Sequence, residues 1–272
     1  MSNSETRISR FFKGLRENGQ KGLVAYITAG DPSVEETAEL AWALERGGAG
    51  LIELGVPFSD PVADGPVIQA GMERALKAGT TLRKVIEIAA EIRRKSEVPL
   101  LLFSYCNPIF RYGVEELARD ARRAGIDGCL ATDLSVEEAH GYVEVMRASG
   151  LDTVFLAAPT STPERLRQVA NYSTGFVYLV SRTGVTGERD TLSGALEPLV
   201  RSMRDVTDLP LAVGFGISTP EQVARVGGLA EAVVVGSAFV RLIARNAGNT
   251  SLPLQLESLA RELKHGLGRK GI

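Results

Sequence analysis

The chain has 272 residues, 44% apolar and 24% charged, with 31 Lys and Arg against 33 Asp and Glu for a net charge of −2. That balance excludes a protein that grips nucleic acid or an anionic membrane through clustered positive charge, and the length fits one barrel-sized domain or two small ones. Cys106 and Cys129 stand too far apart for metal or disulfide spacing, no apolar run reaches the roughly 20 residues that span a bilayer, and Met1–Asn18 has no signal-peptide core, so the expected location is the cytoplasm.

In chain order, Ile8, Phe11, Phe12 and Leu15 come first, at i, i+3, i+4 and i+7. They form one apolar helical face, readable as a plug over one end of a larger fold or as a membrane anchor. Eight short apolar runs then alternate with segments of helical periodicity: Leu23–Thr28, Leu51–Leu54, Pro99–Ser104, Gly128–Ala131, Thr153–Leu156, Phe176–Val180, Leu211–Gly214 and Ala232–Val235. Repeated βα units predict a parallel sheet. Eight units of similar size favour a closed (β/α)₈ barrel in one domain, residues 1–272, over a doubly wound open sheet. The N-terminal helix then plugs the bottom.

The intervening helices carry start and stop signals. Ser33 with Glu36 and Ser135 with Glu138 match the capping box. Thr162–Pro163 and Thr219–Pro220 place a capping hydroxyl before a first-turn proline. Thr81 opens a helix that buries Leu82, Val85, Ile86 and Ala89. Gly47–Gly48, Gly125, Gly150 and Gly227–Gly228 each end a helix. The basic run Arg93-Arg94-Lys95 falls at a helix end, where it complements the helix dipole.

In a barrel of this kind the chemistry lies on the loops after the strands. Glu53 sits inside the second apolar run, and Pro57, Pro61 and Pro66 stiffen the following loop, which carries Asp60 and Asp64. A carboxylate in such a strand is costly to bury without a partner. Three readings follow: a structural ion pair, an acid–base group whose pKa is raised by burial and a nearby like charge, or a Mg²⁺ site built from the same carboxylates. A second signal is phosphate binding. Ser181–Gly187 follows the sixth strand, Gly214–Ser218 the seventh and Gly236–Ser237 the eighth. Glycines let the backbone approach a phosphate, and a helix starting at Ser237 would aim free N–H groups at it.

Absences narrow the chemistry. His140 lies mid-helix and His265 in the last helix, so neither serves a nucleophilic triad or a zinc site at the strand ends. The seven lysines, Lys13, Lys21, Lys77, Lys84, Lys95, Lys264 and Lys270, all miss the strand ends, which argues against a Schiff base. Carboxylates, hydroxyls and backbone amides remain.

The stretch Leu51–Pro66, LIELGVPFSDPVADGP, resembles the signature of the tryptophan synthase α-subunit family, and Ser181–Gly187, Phe215–Gly216 and Gly236–Ser237 are similar to that family's later loops. The resemblance runs over nearly the whole chain. It implies a (β/α)₈ lyase that splits indole-3-glycerol phosphate into indole and glyceraldehyde 3-phosphate. Carried over residue by residue, it makes Glu53 the acid–base group, Asp64 the acceptor of the indole N–H, and Tyr178 a neighbour of the reacting centre. It places Thr186, Gly187, Phe215, Gly216, Gly236 and Ser237 around the substrate and its phosphate, with Arg182 and Thr186 on a closing loop. Tyr26, Phe103 and Leu130 match indole-pocket positions, which can equally be barrel core. Tyr26 replaces an expected phenylalanine, and Leu130–Ser135 keeps Asp133 but lacks the prolines often found beside it. The resemblance further implies no metal and no cofactor in this chain. The implied partner is a pyridoxal-phosphate-dependent β subunit, in an α₂β₂ assembly, that contacts Pro57, Asp60 and the loop Tyr105–Phe110, where Ile109 and Phe110 form an exposed apolar patch or fold back onto their own barrel.

Overall fold

A computed structural model of the chain describes residues 5–180, 192–214 and 216–268. Among them are nine strands: β1 (Gly22–Thr28), β2 (Leu51–Gly55), β3 (Leu100–Ser104), β4 (Gly128–Ala131), β5 (Asp152–Thr153), β6 (Leu156–Ala157), β7 (Val177–Val180), β8 (Leu211–Gly214) and β9 (Ala232–Val235). Twelve helices surround them: α1 (Arg7–Glu17), α2 (Val34–Arg46), α3 (Pro66–Lys77), α4 (Leu82–Arg93), α5 (Cys106–Tyr112), α6 (Val114–Ala124), α7 (His140–Ala148), α8 (Pro163–Tyr172), α9 (Leu192–Arg204), α10 (Pro220–Gly227), α11 (Ser237–Arg245) and α12 (Leu252–Leu267).

All pairings are parallel, in the order β5-β4-β3-β2-β1-β9-β8-β7-β6. The two ends of this sheet are halves of one extended stretch. Val154 N still donates to Cys129 O on the β4 side at 3.2 Å, whereas Phe155 O accepts from Tyr178 N on the β7 side at 3.2 Å. The sheet therefore closes on itself as a barrel. The fifth strand read from the sequence, Thr153–Leu156, is split because the chain changes hydrogen-bond partner at its midpoint.

Every residue of β1 is buried, as a parallel strand covered on both faces requires. Leu23, Ala25 and Ile27 pack outward among the helices, while Val24 and Tyr26 join the inner cluster of the barrel. The α1 face enters that inner cluster through Ile8, Phe12 and Leu15, with Phe12 and Phe176 ring centroids 5.2 Å apart. Glycines at the strand starts leave it room. A Cβ on Gly22 would lie 2.7 Å from the Phe11 ring, and one on Gly175 would lie 2.8 Å from Ile8. The helix is thus the expected plug at the N-terminal end of the barrel.

Polar groups anchor the plug. Thr6 caps α1 by accepting from Ser9 N at 3.1 Å and donates to Asp152 Oδ2 at 2.5 Å. Arg7 reaches the buried Asp127 at 3.1 Å, and Asp127 also accepts from Leu100 N at 2.9 Å. The basic run falls at the end of α4, and Arg93 does more there than complement a dipole. Its guanidinium turns inward and donates to the carbonyls of Ser96, Val98 and Gly125 and to Asp127, so it also ties loops together. Lys95 lies 4.1 Å above the Trp42 ring.

The caps at Thr81, Thr162 and Thr219 form as expected, and Thr219 with Gln222 makes a complete capping box. Ser33 accepts from Glu36 N but meets the Glu36 side chain with its own hydroxyl, so only half of that box exists. Ser135 caps no helix. The chain first turns over Val136–Glu138, burying Val136 and Ala139, and α7 starts at His140, which is therefore the first helical residue and not a mid-helix one. The Tyr105–Phe110 segment is likewise largely the helix α5, with Ile109 folded into the core and Phe110 left 55% exposed. Among the described residues no helix is long and apolar enough to cross a membrane.

Candidate active site

A cavity of about 440 Å³ opens at the C-terminal ends of the strands, opposite the plug. Its floor is built by strand alternation. Tyr26 of β1, Glu53 of β2, Phe103 of β3, Tyr178 of β7 and Val234 of β9 all point inward and line it. The loop after β2 and the start of α3 form one wall through Asp64, Pro66 and Ile68, while Gly216, Gly236 and Ser237 form another. Pro66 is the first residue of α3 and not a loop stiffener, since a proline N–H is not missed there. Arg74 of α3 pairs with the buried Asp31 after β1 at 2.7 Å, which holds this wall against the barrel.

Glu53 is fully buried, and among the described residues neither of its carboxyl oxygens has a hydrogen-bond partner. Burial alone pushes its pKa up to about 8, so the like-charge contribution expected from the sequence is not needed. Among the described residues Glu53 has no ion-pair partner either. Asp64 is also buried, and burial pushes its pKa up to about 6 against the opposing effect of a hydrogen bond from Tyr105. That bond is short, with Tyr105 Oη donating to Asp64 Oδ2 at 2.6 Å. A neutral carboxylic acid and an ionised carboxylate can therefore coexist in one cavity at pH 7. Asp60 is exposed, accepts from the Ser59 hydroxyl and does not line the cavity. Among the described residues no group of three or more His, Cys, Asp or Glu could hold a metal ion.

Two tyrosines depend on glycines at neighbouring strand ends. A Cβ on Gly55 would collide with the Tyr26 hydroxyl, and one on Gly214 with the Tyr178 hydroxyl. Tyr26 packs edge-to-face on Phe103 with centroids 5.2 Å apart, and its hydroxyl lies 3.4 Å from Thr28 Oγ1. Leu130 belongs to the same inner cluster but does not line the cavity, so of its two readings the structure favours core.

On the opposite wall, Gly236 is the N-cap of α11 and Ser237 its first residue, and both line the cavity where the free N–H groups of that first turn begin. Gly216 has φ +80°, a left-handed conformation natural to glycine. Arg182, Thr186, Gly187 and Phe215 lie outside the described residues. Sequence reading missed Val234, Ile68 and the role of Tyr105. The period of two was the available signal for the first and third, because Val234 follows the inward Ala232 and Tyr105 follows the inward Phe103.

The family model described as "Tryptophan synthase alpha chain" matches residues 12–267. A tryptophan synthase alpha chain of Solibacter usitatus is 65% identical over 265 residues, which cover 97% of this chain and 99% of that protein. That of Geotalea uraniireducens is 48% identical over 266 residues, covering 98% and 99%. Among solved structures, tryptophan synthase subunit alpha of Legionella pneumophila matches with a TM-score of 0.89 at 36% identity, covering 97% of this chain and 98% of that one. A Mycobacterium tuberculosis tryptophan synthase structure matches with a TM-score of 0.88 at 36% identity, covering 97% and 99%. The match spans the plug helix, the barrel and the cavity that holds Glu53 and Asp64, and the chain belongs to the tryptophan synthase alpha chain family.

Proposed function

We propose that Glu53 and Asp64 divide the acid–base work of the α reaction, the cleavage of indole-3-glycerol phosphate to indole and glyceraldehyde 3-phosphate, which this chain carries out as a carbon–carbon lyase. The observation that carries this reading is Glu53, a fully buried carboxyl without a hydrogen-bond partner among the described residues, facing a cavity. Its raised pKa keeps it protonated at pH 7, as the first step requires.

Indole is a poor carbanion leaving group, so C3 is protonated first, by the Glu53 carboxyl. The resulting cation carries its charge at the ring nitrogen, where the Asp64 carboxylate accepts the N–H hydrogen bond. The Glu53 carboxylate then takes the proton of the glycerol hydroxyl as the C–C bond breaks. The bonding electrons return to the indole ring, the hydroxyl carbon becomes the aldehyde, and Glu53 ends protonated as it began. Tyr178 closes the cavity beside the reacting centre. Tyr26 and Phe103 flank the indole ring. The α11 N-terminus with Gly216, Gly236 and Ser237 holds the phosphate, joined by Thr186, Gly187 and Phe215, and phosphate binding helps to position the ring.

The chain works as one unit over residues 1–272 in the cytoplasm and passes indole to a β subunit in an α₂β₂ assembly. Pyridoxal phosphate belongs to that partner alone. The exposed Phe110 on α5 and Val62 on the β2 loop support a partner face on this end of the barrel. The test is to incubate the purified chain with indole-3-glycerol phosphate, with and without a tryptophan synthase β subunit, and follow indole. Slow release alone and marked acceleration by the β subunit is the expected result. Fast release alone would mean an independent lyase, and no indole in either case would overturn the assignment.

A further inference from the structure

We propose that Tyr105 is the positioning residue for the second carboxylate: its phenol fixes one oxygen of Asp64 and leaves the other turned to the substrate. The inference rests on the reading that gives Asp64 the indole N–H. Tyr105 directly follows β3, caps the start of α5 and is fully buried, with its ring 5.1 Å from that of Phe58 on the loop after β2. Its oxygen has the Thr132 side chain beside it and makes two close bonds at once. It accepts from Ala63 N at 3.1 Å and donates to Asp64 Oδ2 at 2.6 Å. A phenol has one proton. With the Ala63 N–H on the acceptor side, that proton goes to the carboxylate in a charge-assisted bond.

The clamp holds the Asp64 side chain and touches the loop backbone at one point, Ala63 N. The Asp64 backbone is held independently, because its N–H donates to Pro61 O at 3.0 Å and its carbonyl accepts from Gln69 Nε2 at 2.8 Å. Among the described residues no donor stands at the other carboxylate oxygen, Oδ1, and Asp64 lines the cavity. Removing the phenol would cost the loop its bond at Ala63 N, keep the two backbone bonds at Asp64 and free the carboxylate to rotate.

The same bond keeps Asp64 charged. The titratable groups facing this carboxylate are Tyr105 after β3, Glu53 on β2, Tyr26 on β1 and Tyr178 on β7. Tyr26 and Tyr178 are held well above the ordinary tyrosine value by burial, with further push from these carboxylates, so they stay neutral and add no charge. Among the described residues Tyr105 is the one side-chain donor to Asp64, opposing the burial that pushes it up.

The experiment compares wild type with Tyr105→Phe, Tyr105 replaced site-specifically by 3,5-difluorotyrosine, and Asp64→Asn, each with its β subunit. Tyr105→Phe is expected to lower kcat about tenfold or more and to move the acid limb of kcat/KM up by about one pH unit. The more acidic fluorinated phenol donates more strongly and should move the limb down while kcat is kept. The substrate phosphate also titrates near pH 6, but it is common to all the variants and cancels in the comparison. Carbon-13 titration of Asp64, assigned by its loss in Asp64→Asn, reads the same shifts without turnover. An unmoved limb in both Tyr105 variants, with Asp64→Asn inactive, overturns the positioning role alone, even if Tyr105→Phe is slow. Full activity of Asp64→Asn overturns the reading of Asp64, and this inference with it.

Discussion

Buried carboxylates occur at both ends of this barrel, and the two ends treat them differently. At the plugged end Asp127 is 1% exposed and Asp152 5%. Asp127 meets Arg7, Arg93 and the Leu100 N–H, and Asp152 meets the Thr6 hydroxyl. At the open end Glu53 is 0% exposed with no hydrogen bond among the described residues, and Asp64, 8% exposed, has the Tyr105 phenol. Depth of burial therefore does not separate the two ends. Charged partners do: Asp127 meets two guanidinium groups, whereas among the described residues Glu53 meets no partner and Asp64 meets a neutral phenol. A buried carboxyl without a partner, as Glu53 is among the described residues, keeps a proton near neutral pH and is poised to deliver it.

The largest break in this contrast is Glu53→Gln. Turnover should fall by about 10²–10⁴-fold while the protein folds, measured as indole release with the β subunit present. Stability should move the other way. The folded-state pKa of Glu53 is raised from 4.5 to about 8, so the native state holds a proton that the unfolded chain releases. Its contribution is fully present below about pH 4.5 and is lost as pH rises to about 8. Glutamine does not titrate, so the variant should gain on wild type by roughly 3–5 kcal/mol across that window. Urea melts at pH 5, 6.5 and 8 read this directly, and a pH-independent difference would mean that Glu53 is not buried uncharged.

Asp127→Ala tests the opposite end. It takes the carboxylate partner from the largely buried Arg93, which keeps only backbone carbonyls among the described residues, and leaves the Leu100 N–H without its acceptor. Loss of one partner of such a pair costs about 3–5 kcal/mol, seen in the same melts, while kcat of the folded fraction should stay within about twofold. A large loss of turnover at full stability would erase the distinction between the ends. Gly216→Val probes the rim of the open end that is proposed to hold phosphate. At φ +80° a β-branched side chain is strained and would also crowd the cavity. Affinity for glycerol 3-phosphate, measured by calorimetry, should fall about tenfold, whereas Gly228→Ala at φ −67° is an unstrained control.

What the sequence made legible follows from the range of the interactions involved. The plug face, the strands other than the fifth and the acid inside β2 are local patterns of period or composition, and they hold. The division of β5 from β6 depends on which neighbours the chain meets on either side of residues 154 and 155, which no local pattern encodes. Arg93 turning inward depends on Gly125 and Asp127, more than thirty residues away. The hydrogen bond between Tyr105 and Asp64 joins two loops that are 41 positions apart. Alternation could show that Tyr105 points inward, but not which carboxylate it meets. Ser135 shows the limit of a local motif, since the burial of Val136 and Ala139 outweighs a well-spaced capping pair.

The smallest expected effect concerns Tyr26, the one cavity aromatic where the family resemblance leads one to expect phenylalanine. Its ring makes the edge-to-face contact with Phe103, and phenylalanine would keep that contact. Its hydroxyl has only a long approach to Thr28 Oγ1, 3.4 Å, which is weak as hydrogen bonds go. Tyr26→Phe should therefore change stability by less than about 1 kcal/mol and kcat/KM by less than about threefold, read from urea melts and indole release. A loss above tenfold would place the hydroxyl in contact with the substrate, because the bond to Thr28 is too poor to account for it. It would also add a neutral phenol to the open end, beside one proposed acid that has no hydrogen-bond partner among the described residues and another that accepts from Tyr105.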